Sequence, residues 1–205
     1  MKIVWDFGAV LFRWRPRELI ARVLPQRMVD ADSAAFWVAQ IFQNYGGDWR
    51  EFDRGTVQEP ELAQRIARRT GLSVDEVHAV ILAIPGELEA MQDSVTLLAA
   101  LRERGHALYF LSNMPEPFAQ HLERANAFVA WFIDGVFSCR VQLTKPEPAM
   151  FALAEQRFGL DPARTLFIDD HLDNILAADA RGWQTVHARS PGHIARGLRS
   201  HALID

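Results

Sequence analysis

The 205-residue sequence predicts an α/β fold: a Rossmann-like parallel sheet with helices on both faces and a helical domain inserted after the first strand. Three observations carry this. Short apolar runs alternate with amphipathic stretches of about 10 to 15 residues, a pattern that requires right-handed crossovers between parallel strands. The alternation stops over residues 16–88, where only helical patterns occur. Composition is that of a folded chain, with 49% hydrophobic and 23% charged residues, and surface scaling allows about 70% of its surface to be buried.

Residues 2–5 (KIVW) are apolar and run into Asp6-Phe7-Gly8, a strand ending in a turn. In the insert, SAAFWVAQIFQ (33–43) is helical, ELAQRIARR closes at Gly71, and Ser73 with Glu76 forms a capping box opening DEVHAVILAI. SVTLLAALRERG is a helix capped by Asp93 or Ser94 and stopped by Gly105. HALYFLS (106–112) is a strand, PEPFAQHLERA a helix, GVFSC (135–139) a strand, and EPAMFALAEQRFG a helix ended by Gly159. Asp161-Pro162 begins a short helical turn, TLFI (165–168) is a strand, DNILAADARG a helix, and WQTVHA (183–188) the last strand. The expected domains are a core of 1–15 with 89–205 and a helical insert of 16–88.

The net charge of −4 argues against nucleic acid or an anionic membrane as partner. Residues 16–90 hold 8 Arg against 12 Asp and Glu, so the acidic excess sits on the insert, as a solvated face. The single cysteine, Cys139, excludes an intramolecular disulfide and a Cys-based zinc site, and fits a reducing, cytoplasmic setting. No stretch approaches the roughly 20 apolar residues of a membrane helix, and the N-terminus, interrupted by Asp6, does not read as a signal peptide. Walker A, G-x-G-x-x-G, G-x-S-x-G and HExxH patterns are absent.

In a parallel sheet, ligands bind beyond the carboxyl ends of the strands. Asp6 follows the first strand, Ser112-Asn113 the second, Lys145 lies in the loop after the third, and Asp169-Asp170 follow the fourth. Taken singly, Asp6 reads as a turn former, and the Ser-Asn and Asp-Asp pairs as helix caps. Together they form a carboxylate cluster with one ammonium and a hydroxyl, which suits Mg²⁺ and a phosphate. Only Lys2 and Lys145 among 22 basic residues are lysines, so a compact ammonium stands where Arg is the habit.

WDFGAVL, FLSN, LTKPEP and FIDDHLDNILAADARG, in this order around a helical insert, resemble the haloacid dehalogenase (HAD) superfamily, subfamily I with a helical cap. The sequence is most similar to the branch holding bacterial α-D-glucose-1-phosphate phosphatase and the N-terminal phosphatase domain of soluble epoxide hydrolase; FDRGTVQEPEL also resembles that branch's caps. The resemblance implies a Mg²⁺-dependent phosphatase acting on a small phosphorylated metabolite, such as a sugar phosphate, through an aspartyl phosphate on Asp6. It implies that Asp6, the carbonyl of Gly8 and Asp170 hold the metal, with Asp169 and Asn174 orienting them. Ser112, the backbone of Asn113, and Lys145 would bind the phosphoryl group, Lys145 also neutralising Asp6.

Gly8 departs from the family pattern, which usually has a general acid/base Asp at that place. His171, Glu51 and Asp53 are the candidate substitutes. In the aromatic run holding Phe36, Trp37, Phe42, Tyr45, Trp49 and Phe52, Gly46-Gly47 break the helix and turn Trp49 and Arg50 towards the substrate. Two alternatives stay open: a 2-haloacid dehalogenase, and a weakly catalytic phosphoacceptor or binding protein. Oligomeric state is not fixed by the sequence.

Overall fold

The computed structural model describes residues 1–205. Its sheet comprises β1 (Lys2–Trp5), β2 (Ala107–Ser112), β3 (Asp134–Phe137), β4 (Thr165–Asp169) and β5 (Gln184–His187). All neighbours pair parallel in the order β3-β2-β1-β4-β5, so β1 is central. Trp5 lies opposite both Phe110 and Ile168, which puts the residues after β1, β2 and β4 on one rim.

Period-two alternation sorts the strand side chains into two layers. Ile3, Trp5, Leu108, Phe110, Leu166 and Ile168 join one buried cluster; Val4, Tyr109, Leu111 and Phe167 join another. The second layer is closed by α9 (Pro148–Phe158) and α10 (Leu172–Asp179) through Met150, Phe151, Ala154 and Ile175. Met150, Phe151 and Ile175, taken from water, each contribute about 1.5–3 kcal/mol. The first layer continues into the inserted segment at Leu62, Ile66, Val77 and Ile81.

That segment contains no strand: α1 (Pro16–Val23), α2 (Ser33–Phe42), α3 (Gly47–Arg54), α4 (Glu59–Thr70) and α5 (Val74–Glu87) follow one another, with the expected Ser73–Glu76 capping box on α5. The chain leaves and returns at one place, where Arg13 N donates to Glu89 O and Met91 N to Leu11 O, both at 2.8 Å. Glu87 is fully buried there, with Arg13 Nε at 3.3 Å, Arg15 Nε at 3.0 Å and Arg22 Nη1 at 3.5 Å.

Three elements differ from the sequence reading. The helix α6 (Gln92–Glu103) starts before Asp93, with Met91 as its N-cap and no side-chain cap, because pairing with Leu11 fixes the entering backbone. β3 stops at Phe137, and α8 (Ser138–Val141) makes one helical turn because the Ser138 hydroxyl is drawn into contacts with Met114 N and Asp53 O. A last helix, α11 (Pro191–Ser200), is capped by Ser190 accepting from His193 N. The remaining helix is α7 (Glu116–Ala125). No helix is long and apolar enough to cross a membrane.

Candidate active site

The strand ends do converge. Lys145 Nζ lies 2.8 Å from Asp6 Oδ1 and 2.6 Å from Asp169 Oδ2, with its side chain almost wholly buried. Asp169 is saturated: Oδ1 accepts from His171 N at 2.8 Å and from Asn174 Nδ2 at 3.0 Å, and Oδ2 takes the ammonium. Asn113 closes on the backbone of Lys145, its Oδ1 accepting from Lys145 N at 2.8 Å and its Nδ2 donating to Lys145 O at 2.9 Å. This side-chain clamp, which fixes the lysine from the neighbouring strand end, was not foreseen; an amide two-sided enough to hold a backbone N–H and C=O has no sequence signal. Ser112 is buried at the tip of β2, its hydroxyl without a partner.

Asp6, Asp169 and Asp170 can each bring a carboxylate oxygen within 4.8 Å of the others. Burial pushes the Asp6 carboxyl up to about 6, with Lys145 pulling it down and Asp169 pushing it up again. Asp170 is pushed up to about 8, first by burial and then by the charges of Asp6 and Asp169. Burial opposes the Lys145 charge, but Asp169 and Asp6 outweigh it and hold the ammonium above its ordinary range. One ammonium facing three gathered carboxyls leaves negative charge uncompensated, and Asp6 Oδ1 lacks an aligned hydrogen bond. A hard divalent cation fits that donor set.

Above this floor lies a cavity of about 180 Å³, partly open to solvent, that Asp6, Gly8, Asn113, Lys145, Asp170 and Asn174 line from below. Its wall also includes Trp14, Ile84, Leu88, Met114 and Phe118, which sequence reasoning missed because they come from three segments far apart in the chain. Trp49 and Arg50 also line it. Trp49 is packed against Phe42 and Phe52, and Arg50 Nε is spent on Tyr45 O at 3.3 Å. The helix break begins earlier than Gly46: Gln43, Asn44 and Tyr45 all have φ between 49° and 59°. Left-handed backbone costs a non-glycine residue roughly 1 kcal/mol or more, and here it brings Asn44 and Tyr45 to the cavity, the Tyr45 hydroxyl accepting from Trp14 Nε1 at 2.6 Å.

The three candidate proton carriers separate. Glu51 turns to Thr56 Oγ1 at 2.7 Å and is absent from the cavity wall. His171 and Asp53 both line the cavity. A Cβ built on Gly8 meets nothing within 4 Å, so the place of the missing carboxylate is open space.

A parallel α/β sheet thus carries an acidic, lysine-bridged cluster at the ends of its central strands. Residues 3–182 match the haloacid dehalogenase-like hydrolase family, and the chain belongs to it. It is 26% identical over 186 residues to the sesquiterpene phosphatase AstK of Aspergillus oryzae, covering 90% of this chain and 87% of that one. A HAD-like hydrolase from Porphyromonas gingivalis has a TM-score of 0.70 at 25% identity, covering 97% of each chain. A HAD family enzyme of Bacteroides thetaiotaomicron, solved with magnesium and inorganic phosphate, has a TM-score of 0.69 at 22% identity, covering 90% of this chain and 91% of that one.

Proposed function

We propose that this hydrolase is a Mg²⁺-dependent phosphomonoesterase working through an aspartyl phosphate on Asp6. The observation that carries the reading is the contact of Lys145 with both Asp6 and Asp169 at the floor of a cavity that Asp170 also lines. Asp6 attacks phosphorus in line with the leaving oxygen, and Lys145 neutralises the charge shared between carboxylate and phosphoryl group. The unpartnered Ser112 hydroxyl and the backbone of Asn113 receive phosphoryl oxygens. Asp6, the Gly8 carbonyl and Asp170 would hold Mg²⁺, whose chemistry is to neutralise charge on the transferring group. Asp169, already spent on Lys145, His171 N and Asn174, orients rather than ligates.

The inserted helices of 16–88 act as a cap that roofs the cavity and limits substrates to small phosphorylated molecules. A sugar phosphate is one class that fits Trp49 and Arg50. The relative named as a sesquiterpene phosphatase and the Ile84, Leu88, Met114 and Phe118 wall support a more apolar body. The lone free cysteine suits a reducing, cytoplasmic setting.

The test is phosphate release from sugar, isoprenoid, acyl and p-nitrophenyl phosphates, with and without Mg²⁺, beside Asp6→Asn. Metal-dependent release abolished in Asp6→Asn is expected. Metal-independent release, full activity in Asp6→Asn, or metal-free chloride release from 2-chloropropionate would overturn the reading, the last in favour of a dehalogenase.

A further inference from the structure

Asp53 is a buried carboxyl that the mechanism above leaves unused. It sits on α3 at 5% exposure, lines the cavity, and its side chain makes no hydrogen bond or ion pair. Its backbone, by contrast, is held from several sides. The Ser138 hydroxyl donates to Asp53 O, and Arg54 pairs with Glu147 and donates to Gln142 O at 3.1 Å. Gly55, at φ +80°, abuts Cys139 so closely that a Cβ would lie 2.7 Å from its carbonyl oxygen. An unpartnered carboxyl on so fixed a backbone has one wet direction, into the cavity that Asp6 also lines.

From this placement, and resting on the phosphatase reading, we propose that Asp53 is the proton donor and acceptor of the reaction, occupying from the cap the role left vacant at Gly8. As the Asp6 oxygen bonds to phosphorus, the bond from phosphorus to the leaving oxygen breaks, and that oxygen takes the Asp53 proton and departs as an alcohol. Water then attacks the phosphorus while Asp53 takes its proton. The bond to Asp6 breaks, inorganic phosphate leaves, and both carboxyls return to their starting states.

The groups sharing the cavity with Asp53 are Arg50 on its own helix, Tyr45 before it, Asp6, Lys145, Asp170 and His171 on the rim, and Asp173 in the first turn of α10. Burial dominates them: it pushes the Asp53 carboxyl up to about 8, against the pull of Arg50 and Lys145 and with the push of Asp6. The acid therefore carries its proton at neutral pH, as leaving-group protonation requires.

The experiment compares an alkyl phosphate, which needs a proton on its leaving oxygen, with p-nitrophenyl phosphate, which does not. In Asp53→Asn, kcat/KM for the alkyl ester, which reports phosphorylation of Asp6, is expected to fall about 10²- to 10⁴-fold while kcat/KM for p-nitrophenyl phosphate changes less than about tenfold. The alkaline limb of the kcat/KM profile for the alkyl ester near pH 8 should vanish, and adding Gly8→Asp should restore alkyl turnover. Equal losses of kcat/KM on both substrates, no loss on the alkyl ester, or an unchanged alkaline limb would overturn the assignment alone. Where Asp53→Asn fails to fold, the wild-type chain decides: proton donation makes kcat/KM depend weakly on leaving-group pKa across aryl phosphates, and a steep dependence refutes it. A wild-type chain that releases no phosphate, or a fully active Asp6→Asn, defeats the phosphatase reading and this assignment with it.

Discussion

Replacing Lys145 by Met removes the one cation from a site where three carboxyls meet. At 2.8 Å and an effective dielectric near 20, the attraction to Asp6 alone is worth about 6 kcal/mol, and Asp169 at 2.6 Å adds a similar amount. Most of that offsets the cost of burying the ammonium, so the expected net loss is about 3–5 kcal/mol, the usual result of leaving buried charge unpaired. For a chain of 205 residues this lowers Tm by about 6–20 °C. The loss should depend on pH in a definite sense. Asp6 and Asp170 already titrate above their ordinary values, and Lys145 is a group that pulls both down. Without it their folded pKa values rise further. A raised folded pKa on an acid is a penalty absent below the unfolded value and fully present above the folded one. Lys145→Met should therefore lose more at pH 8 than at pH 5. Thermal unfolding followed by circular dichroism at both values, in metal-free buffer, measures this. A loss under about 1 kcal/mol, or the same loss at both pH values, would refute the electrostatic account of the site.

The same sign rule applied to Asp53, raised to about 8, predicts that metal-free stability falls as pH rises from 4 towards 8, and that Asp53→Asn flattens this slope in denaturant titrations. Gly55→Ala meets both a left-handed backbone and the Cys139 carbonyl; urea unfolding should show a cost of about 1–3 kcal/mol, and a neutral result would mean that α3 does not rest on α8 as described. Glu87→Gln strips the shared partner of Arg13, Arg15 and Arg22, but these are a third to a half exposed, so the expected cost is only about 1–2 kcal/mol in the same assay. Burial first, then Glu116, pushes the Cys139 thiol up to about 12, so native protein at pH 8 should react with iodoacetamide about tenfold or more slowly than unfolded protein, as mass spectrometry would show.

What the sequence disclosed was whatever is written in local pattern or at strand termini. The strands around Val4, Phe110 and Phe167 are buried on both faces and read as continuous apolar runs, and parallel topology alone brought Asp6, Lys145 and Asp169 to one rim. The Ser73–Glu76 capping box was legible because both partners are three residues apart. Illegible features depended on partners distant in the chain. Ser138 ends β3 because Asp53 and Met114, 85 and 24 positions away, claim its hydroxyl. The clamp of Asn113 on Lys145 spans 32 positions, and the left-handed turn at Gln43–Tyr45 is written in residues with no glycine among them. Asp53 stood among three proton-carrier candidates, and only burial and cavity placement separated it from Glu51.

The paired backbones at Leu11–Arg13 and Glu89–Met91 set a boundary condition for protein engineering. Any segment spliced between them needs ends only about one strand spacing apart, roughly 5 Å, while the sheet and its rim keep their own register. A foreign helical hairpin could be grafted there without relocating Asp6, and the graft would carry its own pocket walls. What it would not bring is a carboxyl where α3 now holds Asp53, so on the proton-donor assignment such a chimera would change what is bound and how the proton moves together.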